Sequence, residues 1–201
     1  MTSFANPTPL RRRILLIQAF TLAWMLVECA VALWAAARAH SPVLLAFGFD
    51  SLIELLSAAL VVYAVAPRLR LSHRRIDFAA GFLLFALAAA VAVSSGLALA
   101  GRLQPEVSVP GILITAAALC VMPLLAWQKR KLARSTGNIA LAADAVQSAT
   151  CAYLALAALA GLALNAAFHL ASADAIAALA ATPILIVEGR RALRGQSCGC
   201  C

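Results

Sequence analysis

The sequence predicts an all-α membrane protein: a six-transmembrane-helix bundle with both termini cytoplasmic. Three observations carry that expectation. Of the 201 residues, 64% are hydrophobic and only 12% are charged, where a soluble domain has about half apolar and about a quarter charged residues. Six apolar segments fill nearly the whole chain, which leaves no stretch for a separate soluble domain of even about 50 residues. The basic residues sort onto one side of the connections between those segments, and the mean hydropathy of +0.95 agrees with a membrane location.

A transmembrane helix needs about 20 mostly apolar residues, because the hydrocarbon is about 30 Å thick and a helix rises about 1.5 Å per residue. The windows that qualify are 14–37, 43–65, 76–100, 111–127, 138–164 and 173–187. The first follows Arg11, Arg12 and Arg13, and its apolar run exceeds the roughly 7–15 residues of a signal-peptide core, so it is read as a retained helix. Pro42 opens the second, and Pro67 follows it. An arginine-rich loop with Arg68, Arg70, Arg74 and Arg75 leads into the third, and Pro105 and Pro110 separate third from fourth. Lys129, Arg130, Lys131 and Arg134 read as the basic loop between the fourth and fifth.

Together with Arg190, Arg191 and Arg194 beyond the sixth span, these groups place fourteen of the sixteen Lys and Arg residues on one side, with Arg38 and Arg102 on the other. The positive-inside rule makes that side the cytoplasm. The expected organisation is a cytoplasmic N-terminal segment (1–13), a transmembrane domain (14–188) and a basic, Cys-rich cytoplasmic tail (189–201) in the cell (plasma or inner) membrane. The net charge of +8 then reflects orientation and contact with anionic headgroups rather than nucleic-acid binding. Three spans per half also make the second half inverted relative to the first, as in many transporters.

Four of the eight acidic residues lie well inside predicted spans: Glu28, Asp50, Glu54 and Asp144. A carboxylate near the bilayer centre costs roughly 2.5–3.5 kcal/mol even on the lenient insertion scale. Four in one small protein therefore point to a wet cavity or a bound cation. Asp50 and Glu54 share a helical face about 6 Å apart along the axis. On the fifth helix Asp144, Gln147, Ser148 and Cys151 form a stripe at three- and four-residue steps. Counting about 1.5 Å per residue from the cytoplasmic ends puts Glu54 level with Gln147 and Ser148, and Asp50 level with Cys151 and Glu28. Two carboxylates with a thiolate and an amide oxygen suit a divalent transition metal such as Zn²⁺. Cys29 and Cys120 are read as packing residues.

The run SPVLLAFGFDSLIELLSAAL (41–60) resembles the second transmembrane helix of the cation diffusion facilitators, in which two acidic residues separated by three positions form half of a metal site; here they are Asp50 and Glu54. The stretch ALAADAVQSATCAYLAL is similar to the family's fifth helix. Its Asp, His, Asp pattern falls on Asp144, Gln147 and Cys151, with Gln where His is expected and Cys where the second Asp is expected. The closest likeness is to a compact branch lacking the cytoplasmic C-terminal domain. The resemblance implies a metal site of Asp50, Glu54, Asp144, Gln147 and Cys151, and a homodimer. It also implies a secondary transporter that exports a divalent, Zn-like cation in exchange for protons.

The chain ends with Cys198, Cys200 and Cys201. Thiols on a tail in a reducing compartment suit soft ions. They are accessory metal-binding residues in this reading, together with Glu28. The expected partners are the metal cation as substrate, protons and the bilayer; no prosthetic group, nucleic acid or enzymatic activity is expected. A membrane thiol oxidoreductase would need paired thiols near the oxidising face, whereas this cluster lies at the cytoplasmic end and Cys151 has no nearby partner in the sequence. The alternative is a degenerate, non-transporting relative that acts as a metal-binding or scaffold protein.

Overall fold

A computed structural model of the chain describes residues 9–65 and 73–194. The described residues form six α-helices: α1 (Pro9–Ala39), α2 (Pro42–Val65), α3 (His73–Leu99), α4 (Val109–Thr136), α5 (Ile139–Phe168) and α6 (Ala171–Leu193). Among them α1, α4, α5 and α6 contain stretches long and apolar enough to cross a membrane. Cys198, Cys200, Cys201, Arg68 and Arg70 lie outside the described residues.

Local chemistry sets the helix ends. Ser108 caps α4 by accepting a hydrogen bond from the Gly111 amide at 3.2 Å, and Pro110 sits in the first turn, where its missing N–H is not needed. At the other end Gly137 takes the left-handed conformation, with φ 64°, that closes a helix without Cβ strain. Asn138 immediately caps α5, accepting from the Leu141 amide at 3.1 Å. His40, between α1 and α2, and His169, between α5 and α6, both have positive φ, at 50° and 53°.

One boundary differs from the sequence expectation in a way that matters. The fourth span was expected to stop at residue 127, with Lys129, Arg130, Lys131 and Arg134 in a loop. Instead α4 runs on to Thr136, so these four are helical. Lys, Arg, Leu and Ala are strong helix formers, and no Gly or Pro stands between Trp127 and Gly137 to break the helix.

The helices pack chiefly as the pairs α1 with α2, α4 with α5 and α3 with α6. α2 also meets α3, α5 and α6, and α1 also meets α4, so α1, α2, α4 and α5 enclose one shared interior. Small residues permit close crossings, as expected where van der Waals packing drives helix association. A Cβ at Gly48 would come within 2.8 Å of Leu33 on α1, and one at Gly161 within 2.7 Å of Ala177 on α6. Large apolar side chains such as Leu16, Phe82, Leu113 and Phe168 stay exposed on the outside. That surface belongs against hydrocarbon rather than water.

Candidate functional site

Buried polar residues concentrate in the interior shared by α1, α2, α4 and α5. From α1 come Gln18, Thr21 and Glu28; from α2 Asp50, Ser51 and Glu54; from α4 Lys129; and from α5 Asp144 and Ser148, with Cys151 beside them. Each of these is 0% or 1% exposed. Helical period aligns them: on α1, Gln18, Thr21, Met25 and Glu28 follow steps of three and four residues and are all buried.

The inner cluster is organised around a cation that belongs to the chain itself. The Lys129 ammonium lies 2.9 Å from Asp144 Oδ2 and 3.4 Å from Glu54 Oε1. It donates to the Ser148 hydroxyl at 2.7 Å, and Ser148 in turn donates to Glu54 Oε1. Gln18 closes the ring by donating from Nε2 to Asp144 Oδ2 at 2.8 Å. Four helices therefore supply one side chain or more to a single, wholly buried ion cluster. Its formal charge, two carboxylates and one ammonium, is negative by one. Two acceptors, Glu54 Oε2 and Gln18 Oε1, are buried without a hydrogen-bond donor among the described residues.

A second layer adjoins the first. Glu28 accepts from Trp24 Nε1 at 2.5 Å, from Ser51 Oγ at 2.6 Å and from Cys151 Sγ at 3.4 Å. Asp50 is buried and stands within electrostatic reach of Cys151. The depth count puts Glu54 level with both Gln147 and Ser148, and Asp50 and Glu28 level with Cys151; the structure joins Glu54 to Ser148 and Glu28 to Cys151.

Of the residues singled out from the sequence, Glu54 and Asp144 meet at Lys129, while Cys151 meets Glu28 in the adjoining layer. Gln147 is only half-buried and takes no part in the hydrogen bonds of either layer; its neighbour Ser148 faces the cluster instead. Among the described residues no three His, Cys, Asp or Glu side chains form a ready-made coordination shell. In the inner layer Lys129 offsets one of the two formal negative charges.

Lys129, Gln18 and Ser51 were not anticipated as members of the site. Periodicity carried a signal for Lys129: it shares a buried face with Met122, Leu125, Ala126, Leu132 and Ala133. A lysine on the core face of a helix is rarely fully buried unless it is paired. For Gln18 the signal was its place on the stripe that leads to Glu28.

A different buried pair lies toward the far end of the bundle. Asp174 of α6 accepts from the Ser41 hydroxyl and, at 3.1 Å, from the Val43 amide, so it ties α6 to the start of α2. That carboxylate satisfies backbone and hydroxyl donors and has a structural use. No known family model matches the chain, and no curated protein resembles it closely enough to assign a relative.

Proposed function

We propose that the protein is a six-span secondary transporter with both termini in the cytoplasm. It exports a divalent transition-metal cation, Zn²⁺-like in its ligand demands, in exchange for protons, through a site between α2 and α5. One observation carries the reading: Glu54, Asp144 and Ser148, from two helices, converge on a single buried position that holds positive charge. Burying carboxylates to glue helices together is costly, and apolar packing does that task as well or better. A site that must accept a cation has a reason to bear the cost. The likeness of residues 41–60 to the second helix of the cation diffusion facilitators points the same way.

In this reading the Lys129 ammonium is a tethered stand-in for the cargo. An arriving cation displaces it and gains Glu54, Asp144 and the two acceptors, Glu54 Oε2 and Gln18 Oε1, that accept no hydrogen bond within the cluster. Glu28, Asp50 and Cys151 form the next layer along the path. Carboxylates and a thiol shed protons when they take a metal, which links cargo binding to proton movement.

A second reading rests on the same lysine. Because its ammonium pairs with both carboxylates and cannot diffuse away, the cluster is equally a permanent lock in a non-transporting relative. Reconstituted vesicles separate the two. Zn²⁺ flux coupled to a pH change supports transport, and Asp50→Ala should reduce that flux at least tenfold at normal protein levels. No Zn²⁺ flux in the wild-type chain, with Cd²⁺ and Mn²⁺ equally inert, would leave the lock.

Cys151 offers a test of metal choice. Softer donors favour softer ions. Cys151→Asp should therefore lower the Cd²⁺ to Zn²⁺ transport ratio several-fold, measured by competition in the same vesicles. An unchanged ratio assigns Cys151 to packing against Glu28.

A further inference from the structure

The outer face of α1 and α4 carries a groove that the ion cluster does not use. Its upper part, about 630 Å³, is lined by Arg13, Trp127, Lys131 and Ser135 together with Leu10 and Leu16. A neighbouring hollow adds Arg130 and Arg134. Below, a further 410 Å³ runs between Leu16, Ile17, Phe20, Val121 and Leu124, and shares Leu16 and Ile17 with the upper part. None of the lining residues is acidic.

Chemistry changes along the groove in the order of a lipid molecule. α1 and α4 run antiparallel, so Arg13 lies level with Lys131, and Phe20 with Leu124. Seven residues separate Arg13 from Phe20 on α1 and Lys131 from Leu124 on α4, about 10 Å of descent from charge to hydrocarbon. Trp127 stands between, exposed, with the Lys131 ammonium 5.4 Å from its ring centre. An amphipathic ring at the boundary of polar and apolar walls is what an interfacial anchor requires.

We propose that this groove is a binding site for one anionic phospholipid. Its phosphate-bearing headgroup is held by Arg13 and Lys131, with Arg130 and Arg134 beside them, and one acyl chain lies along Leu16, Phe20 and Leu124. A zwitterionic lipid fits the same walls but brings a cation toward four cations, so the charge of the groove selects against it. The general attraction of basic loops to a negative membrane surface needs no groove. Here the cations are fixed on helices above an apolar channel of matching depth.

The test uses the full chain in phosphatidylcholine vesicles and acyl-brominated lipids, which quench nearby tryptophan. Trp24 and Trp34 also fluoresce, so the signal is the difference between wild type and Trp127→Phe. Brominated phosphatidylglycerol should quench the Trp127 component at a mole fraction roughly fivefold or more below that needed for brominated phosphatidylcholine. Arg13 and Lys131 are exposed, so the double variant R13Q/K131Q should keep the fold and bring the ratio close to one. Arg38→Gln, which alters the cation over Trp34, should leave the ratio unchanged. Equal quenching by the two lipids in wild type, or a ratio that survives R13Q/K131Q, overturns the proposal. So does relief of quenching by soluble glycerol phosphate, which would make the groove a phosphate site without a place for the chain.

Discussion

Lys129→Gln should convert a cluster that carries its own cation into one that depends on added cation. Without the ammonium, Glu54 and Asp144 face each other in a wholly buried space, and removal of one partner from a buried ion network costs about 3–5 kcal/mol. The variant is therefore expected to unfold at markedly lower temperature in metal-free buffer. If the position accepts a free divalent cation, Zn²⁺ then restores stability by mass action, by about 2.7 kcal/mol at a hundredfold excess over Kd. Loss of a tethered competitor should also tighten Zn²⁺ binding on the order of tenfold or more, since about 1.4 kcal/mol of relieved competition is a factor of ten. Thermal unfolding with and without Zn²⁺, followed by equilibrium titration, checks both. A variant that is destabilised yet indifferent to every divalent ion tested would make Lys129 a structural lock.

Glu54→Gln should do the reverse, sparing the fold and abolishing transport. The cluster counts two carboxylates against one ammonium, so removal of Glu54 leaves Lys129 paired one to one with Asp144 at 2.9 Å. An amide of the same size still accepts from Ser148. The stability loss is expected to stay under about 2 kcal/mol, well short of that for the lysine variant. On the proposed transport reading the cargo, by contrast, loses half its charge compensation in the inner layer. Flux of Zn²⁺ should fall on the order of a hundredfold or more, since about 2.7 kcal/mol is a factor of one hundred. Flux within tenfold of wild type would remove Glu54 from the path and, with it, the inner layer as a cargo site.

The two variants have opposite signatures because charge is not divided equally among the partners. That inequality could not be read from the chain alone. Asp50, Glu54 and Asp144 announced themselves as carboxylates in apolar segments, where each is expensive. Lys129 did not, because a lysine a few residues past an apolar run looks like a membrane-end residue reaching for headgroups. Its neighbours Arg130, Lys131 and Arg134 do lie on the outside. One residue in four turned inward, and only the packing of α4 against α1 and α5 determines which.

Gln147 and Ser148 illustrate the same limit on a smaller scale. Rise along a helix is a local property of about 1.5 Å per residue, so depth could be counted and the two layers came out in the right order. Rotation about the helix axis moves by about 100° per residue, and the two adjacent side chains differ by that angle while sharing nearly one depth. The depth count favoured neither. Ser148 faces Lys129 because α5 packs against both α4 and α2, which turns the Asp144–Ser148–Cys151 stripe into the shared interior, where all three are 0% exposed.

By itself, then, the sequence determined the helical class, the apolar segments, the breaks near Pro42 and Pro105, and the order of the buried carboxylates along their helices. These follow from composition, period and rise, which act within one helix. Only the tertiary structure decided that α4 delivers a lysine between Glu54 and Asp144, that Gln18 joins them, and that Cys151 turns to Glu28. Those facts depend on how four helices rotate to bury their polar stripes together, and no single helix contains that information.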